Sequence, residues 1–89
     1  MMKIKVWFGI VENGKVISEP LNIDKYFTSK FEVDDSITVT EKDTSNLSDI
    51  NKQIWNDSFG PGEYTVKKTM DWDYDKNAGY EQAVSVTKV

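Results

Sequence analysis

Apolar and polar residues alternate almost from the start of the chain: Ile4, Val6, Phe8 and Ile10 are separated by Lys5, Trp7 and Gly9, with Lys3 before them. Successive side chains of a strand point to opposite faces, so a period of two predicts a half-buried strand here. Asn13-Gly14 follows, between Val11-Glu12 and Lys15-Val16-Ile17, and supplies the positive φ angles of a type I′ hairpin turn. Pro20 cannot donate to a ladder, so it ends the second strand or confines it to an edge. Phe27, Ser29, Phe31 and Val33 alternate with Thr28, Lys30 and Glu32, which suits a third strand, while Ile23 to Phe27 suits a short helical turn equally well. Asp34-Asp35-Ser36 has turn chemistry, and the β-branched run Ile37-Thr38-Val39-Thr40 predicts a fourth strand.

The period changes to three-to-four after Thr44. Leu47, Ile50, Ile54 and Trp55 share one face of a helix expected from about Ser45 to about Phe59, capped by Thr44 or Ser45 and stopped by Gly60-Pro61-Gly62. Alternation then returns: Tyr64, Val66, Lys68, Met70, Trp72 and Tyr74 share one side of a long strand, and Tyr80, Gln82, Val84 and Val86 lie on a returning one after the turn Lys76-Asn77-Ala78-Gly79. The expected fold class is α+β, in the order β-β-(β-β)-α-β-β. An antiparallel sheet of about five to six strands carries one α-helix, about 45–59, packed on one face. At 89 residues the chain has material for a single core, so residues 1–89 are read as one domain.

Composition narrows the chemistry more than the pattern does. There is no Cys and no His, which removes thiolate nucleophiles, imidazole acid-base catalysis, disulfides and zinc sites of the Cys/His kind. All eleven basic residues are Lys, so guanidinium clamps are unavailable and phosphoryl chemistry is disfavoured. Gly60-Pro61-Gly62 lacks the lysine and the following helix of a phosphate-binding loop. A carboxylate pair acting on a glycosidic bond needs an enclosing cleft, for which a chain of this length has little room. The expectation is therefore a non-enzymatic protein, with no cofactor and no metal.

Net charge is −4, and residues 34–63 hold the excess, with Lys42 and Lys52 against seven acids. Such a balance argues against direct nucleic-acid binding, which needs clustered positive charge, and is also what solubility alone would give. No run approaches a membrane span, and the first residues do not resemble a secretory signal, so a cytoplasmic location without membrane contact is expected. The glycosylation sequons at Asn46 and Asn56 carry little weight without that signal. In composition, small, acidic, rich in Lys, Asp and Asn and free of Arg, the chain resembles accessory proteins of phages and mobile elements, a likeness that transfers no site.

Asp71-Trp72-Asp73-Tyr74-Asp75 is the most unusual local feature. On a strand, residues i and i+2 share a face about 6.6 Å apart, so Asp71, Asp73 and Asp75 would form a line of carboxylates resembling the phosphates of a nucleic-acid strand. Glu81 on the partner strand would extend the line. Calcium fits less well: a loop counted from Asp71 has Lys76 and Gln82 at positions six and twelve, and one counted from Asp73 has Ala78 and Val84, where Gly and Glu are required. The plain structural alternative is a solvated face that pairs with Lys67, Lys76 or Lys88 and discourages edge-to-edge aggregation.

Trp7, Trp55 and Trp72 all suit core positions, but Trp7 lies on the lysine face of the first strand, and one helix cannot cover both faces. If exposed, Trp7 would anchor a partner. The leading expectation is a small acidic protein-binding domain whose partner has a basic surface, acting as an inhibitor that occupies a nucleic-acid-binding site. The alternatives are an assembly module that self-associates through a sheet edge or an aromatic patch, and a binder of a small ligand or ion. Candidate contact residues are Asp71, Asp73, Asp75, Glu81 and Trp7.

Overall fold

The computed structural model describes residues 1–72 and 76–89. Five strands, β1 (Met2–Glu12), β2 (Lys15–Phe27), β3 (Ser36–Val39), β4 (Gly62–Asp71) and β5 (Tyr80–Lys88), form one sheet in the order β2-β1-β5-β4-β3. The helix α1 (Asp49–Ser58) packs on one face. The α+β class therefore holds, but the sheet is mixed: β1 and β5 run parallel, whereas the other three pairings are antiparallel. Alternation reads which face a side chain takes, not which strand lies beside which, so it could not reveal that the first and last strands meet at the centre of the sheet. β5 fits its central place, being buried from Gln82 through Thr87.

The first hairpin forms as expected, with Asn13 at φ 53° and Gly14 at φ 77° between the paired Glu12 and Lys15. β2 does not end at Pro20. It continues to Phe27 as an edge strand, and its register slips on either side of Ser18, so that Glu19 and Pro20 fall in a bulge between paired Ser18 and Leu21. The expected third strand over residues 27–33 is absent. Instead the chain crosses the sheet from one edge to the other, held where the Phe31 backbone and the Gln82 side-chain amide exchange two hydrogen bonds of 2.9 Å.

The helix starts later than its composition suggests. Glu41–Thr44 forms a short 3-10 turn, and Ser48, whose hydroxyl accepts from the Asn51 backbone N–H, caps α1. At about 3.6 residues per turn, Ile50 stands about 140° round α1 from Trp55: Trp55 is fully buried, Ile54 and, ahead of the helix, Leu47 are partly so, and Ile50, expected inward, is 77% exposed. Gly60, at φ 80°, takes the left-handed turn that stops the helix.

The core lies between α1 and the inward side chains of the sheet, with Ile4, Val6, Phe8, Tyr64, Val66, Val84 and Val86 at its centre. Phe8 meets Trp55 edge-on at 5.0 Å and Tyr64 at 5.2 Å. Tyr64 donates from its hydroxyl to the Gly60 carbonyl at 2.6 Å, and burial pushes its phenol up to about 12. The Trp55 Nε1 has no hydrogen-bond partner among the described residues.

Candidate functional site: the open face of the sheet

With Ile4, Val6 and Phe8 turned towards α1, β1 presents Lys3, Lys5 and Trp7 on its other side. The crossing segment and α1 both lie on the inner side, and among the described residues no helix or strand packs over Trp7. Pairing sets Asn22, Asp24 and Tyr26 of β2 beside Trp7, Lys5 and Lys3, and Ala83 and Ser85 of β5 beside Lys5 and Trp7.

Two further bulges supply the rest of this open face. Lys67 is an extra residue in β4, so Tyr64 and Val66 point inward while Lys68 and Met70 fall opposite Ser85 and Ala83, on the outward side. The single aromatic and apolar face expected for this strand is thus divided between the two sides of the sheet. Glu81 is the extra residue of β5 against β1, and the slip lets Tyr80 pair with Lys3 on the open face although Gln82 pairs with Ile4 on the inner one.

Two clusters result. In the first, Asp24 accepts from the Tyr80 hydroxyl at 2.5 Å and lies 3.5 Å from Lys5 and 3.9 Å from Lys3. Both ammonium groups sit over the Tyr80 ring, at 4.4 Å for Lys3 and 4.7 Å for Lys5, and Tyr80 packs on Trp72 at 4.7 Å. In the second, Trp7, Glu19, Met70 and Trp72 line an open depression of about 320 Å³. The Glu19 carboxylate there accepts a hydrogen bond from the Ser85 hydroxyl. Trp7, Met70 and Trp72 are half-buried, while the small residues Ala83 and Ser85 between them are buried.

A smaller cleft of about 210 Å³ wraps the β2 edge between Lys5, Asp24, Asp43 and Leu47. Its charges are already matched, Asp24 with Lys5 and Asp43 with Lys25 at 2.8 Å. Asp43 is held below its ordinary 3.8: burial acts to raise it, but hydrogen bonds from Lys25 and from the Thr40 backbone and hydroxyl, with the Lys25 charge, outweigh that. At the far edge, hydrogen bonds from Ser36 and Thr38 lower Glu63.

Of the candidate contact residues, Asp71, Glu81 and Trp7 are described, and neither of these two acids lines the depression with Trp7. Asp71 is the last residue of β4, exposed, 3.5 Å from Lys30, and registered opposite Gln82 on the inner side of the sheet, away from Trp7. Asp73 and Asp75 lie outside the described residues. Glu81 is exposed at its bulge, and Trp7 lies in the aromatic depression, alone among the three described candidates. The sequence reading missed Glu19, Met70 and Tyr80 as its companions and assigned Trp72 to the core. One signal was present: Lys68 occupies a position where unbroken alternation would put a lysine among core residues, which marks a slip of register.

Among the described residues no group of three carboxylates is placed to hold a metal ion, and no helix is long and apolar enough to cross a membrane. Comparison with protein-family models, curated proteins and solved structures gives no match.

Proposed function

We propose that this chain is a non-enzymatic protein-binding domain that engages a partner with a basic surface through the open face of its sheet. The observation that carries this reading is the depression lined by Trp7, Glu19, Met70 and Trp72 on the side of the sheet opposite α1. Half-buried tryptophans beside an apolar hollow have the composition of interface hot spots. The net charge of −4 adds long-range attraction for a basic surface and raises the rate of encounter. The inhibitor form, in which that surface is the partner's nucleic-acid-binding site, rests on this charge, with Asp71 and Glu81 as exposed acids at the same end of the sheet.

The test is affinity capture from the source cells with the wild-type chain and with Trp7→Ser and Trp72→Ser variants whose circular dichroism is unchanged. A protein captured by the wild type, released by raised salt and lost in both variants is the expected result. Capture that persists in both variants would remove the open face as the contact surface. Light scattering on the purified chain addresses assembly: a defined oligomer that Trp7→Ser dissolves would show that the face binds its own copy.

A further inference from the structure

The two clusters on the open face are built from the same parts, but only one of them is complete. Around Asp24, two lysine ammonium groups at 3.5 and 3.9 Å and the Tyr80 hydroxyl surround the carboxylate, and Tyr80 packs on Trp72. Around Glu19 there is again a carboxylate beside aromatic walls, here Trp7 and Trp72, with Met70 as an apolar lining. Among the described residues no lysine lies within ion-pair distance of Glu19. Lys5, whose ammonium is 5.9 Å from the Trp72 ring centre, is engaged by Asp24 and by Asn22 at 3.0 Å.

We infer that the Trp7–Trp72–Glu19 slot is a subsite for one basic side chain of a protein partner, the cation lying between the indoles and against the Glu19 carboxylate. The inference deepens the function proposed above and rests on the open face being the contact surface. Indole rings attract a cation through their negative faces, most strongly where water is excluded, and a carboxylate at the rim selects the charged over the neutral side chain. Ser85 holds Glu19 in place through its hydroxyl. The apolar stem of a long basic side chain suits the Met70 wall, as lysine stems commonly cover apolar surface. Arginine suits the slot best, because its planar guanidinium both stacks on indole and forks onto a carboxylate.

The probes are Nα-acetylarginine amide and its neutral isostere, Nα-acetylcitrulline amide, titrated into the ¹⁵N-labelled full chain while the three indole N–H signals are followed. Arginine amide is expected to move the Trp7 and Trp72 signals and leave Trp55, and citrulline amide to bind about fivefold more weakly or not at all. Glu19→Gln should remove the preference for arginine, and Trp7→Ser should abolish the response. Equal binding of the two probes would overturn the inference, as would a preference that survives Glu19→Gln. Should the probes fail while Trp7→Ser still loses the captured partner, the open face stands as the contact surface and only the cation slot falls; if capture also survives Trp7→Ser, both fall.

Discussion

Neighbouring residues of β1 live in two different solvents. Phe8 is fully buried against Trp55, Tyr64 and Phe59, with α1 above it. Trp7, one position earlier, lies half-buried on a face that the sheet must cover with its own side chains. On the inner face, burial comes from a second layer and is nearly complete. On the open face it comes from large side chains on β1 and β4 flanking the small Ala83 and Ser85, which hides the strand between them but leaves the rings wet on one side. The first arrangement stabilises the fold; the second keeps apolar surface in reserve for binding.

The comparison can be broken from its stronger side. Phe8→Ala removes the ring around which the inner aromatic cluster is arranged, and should lower unfolding free energy by about 3–5 kcal/mol in chemical denaturation. Deleting Thr69 restores unbroken alternation in β4 from Val66 and turns Lys68 inward, opposite Val84, whereas deleting Lys67 leaves Lys68 and Met70 outward as they are. We expect a loss of about 2–3 kcal/mol for the first deletion, because it puts an ammonium group on the inner face, and a smaller change for the second. Equal losses from the two deletions would mean that the bulge does not set the face. Trp7→Ser should lower stability by only about 1–2 kcal/mol, since much of the ring is already hydrated; a loss as large as that of Phe8→Ala would make the open face part of the core.

The smallest expected effect concerns pH. The folded-state value of Asp43 is depressed, so its contribution to stability is present above its unfolded value, near 3.8, and is lost as pH falls through the lower folded value. Asp43→Asn should therefore make the loss of stability below about pH 4 less steep, read as the melting temperature between pH 5 and pH 2.5, while leaving the Trp7 and Trp72 signals at neutral pH in place.

Local chemistry was legible in the sequence wherever it acts locally. Asn13-Gly14 imposes its turn through its own backbone, Gly60 stops α1, and the Ile4-Val6-Phe8 alternation identifies the inner face of β1. Where the reading failed, the missing information was long-range. Phe27 to Val33 alternates like a strand, yet the chain uses this stretch to cross from the β2 edge to the β3 edge, and the Phe31 backbone bonds to the Gln82 side chain in place of a ladder. Ile50 has the spacing of a core residue relative to Ile54, but it stands about 140° round α1 from Trp55, the side chain that the core takes in. The open-face cluster was the least legible part, because it depends on three bulges, at Glu19, Lys67 and Glu81, and each reverses the parity on which an alternation argument relies. Asp71 shows the converse: its neighbours in sequence suggested a line of acids, and its place at the end of β4 sets it on the other side of the sheet from Trp7.

The parallel pairing of β1 with β5 also determines how the fold carries a mechanical load. Met2 lies at the end of the pair where Tyr80 enters, and Lys88 at the end where β1 passes Phe8, so tension applied through Met1 and Val89 pulls the two strands lengthwise past each other. The slanted hydrogen bonds between them are then loaded together, in shear, instead of opening one at a time as in a zipper. A strand pair joined in this way resists extension far better than a hairpin pulled from its open end, so the rest of the sheet is shielded from a pulling force until this central pair gives way.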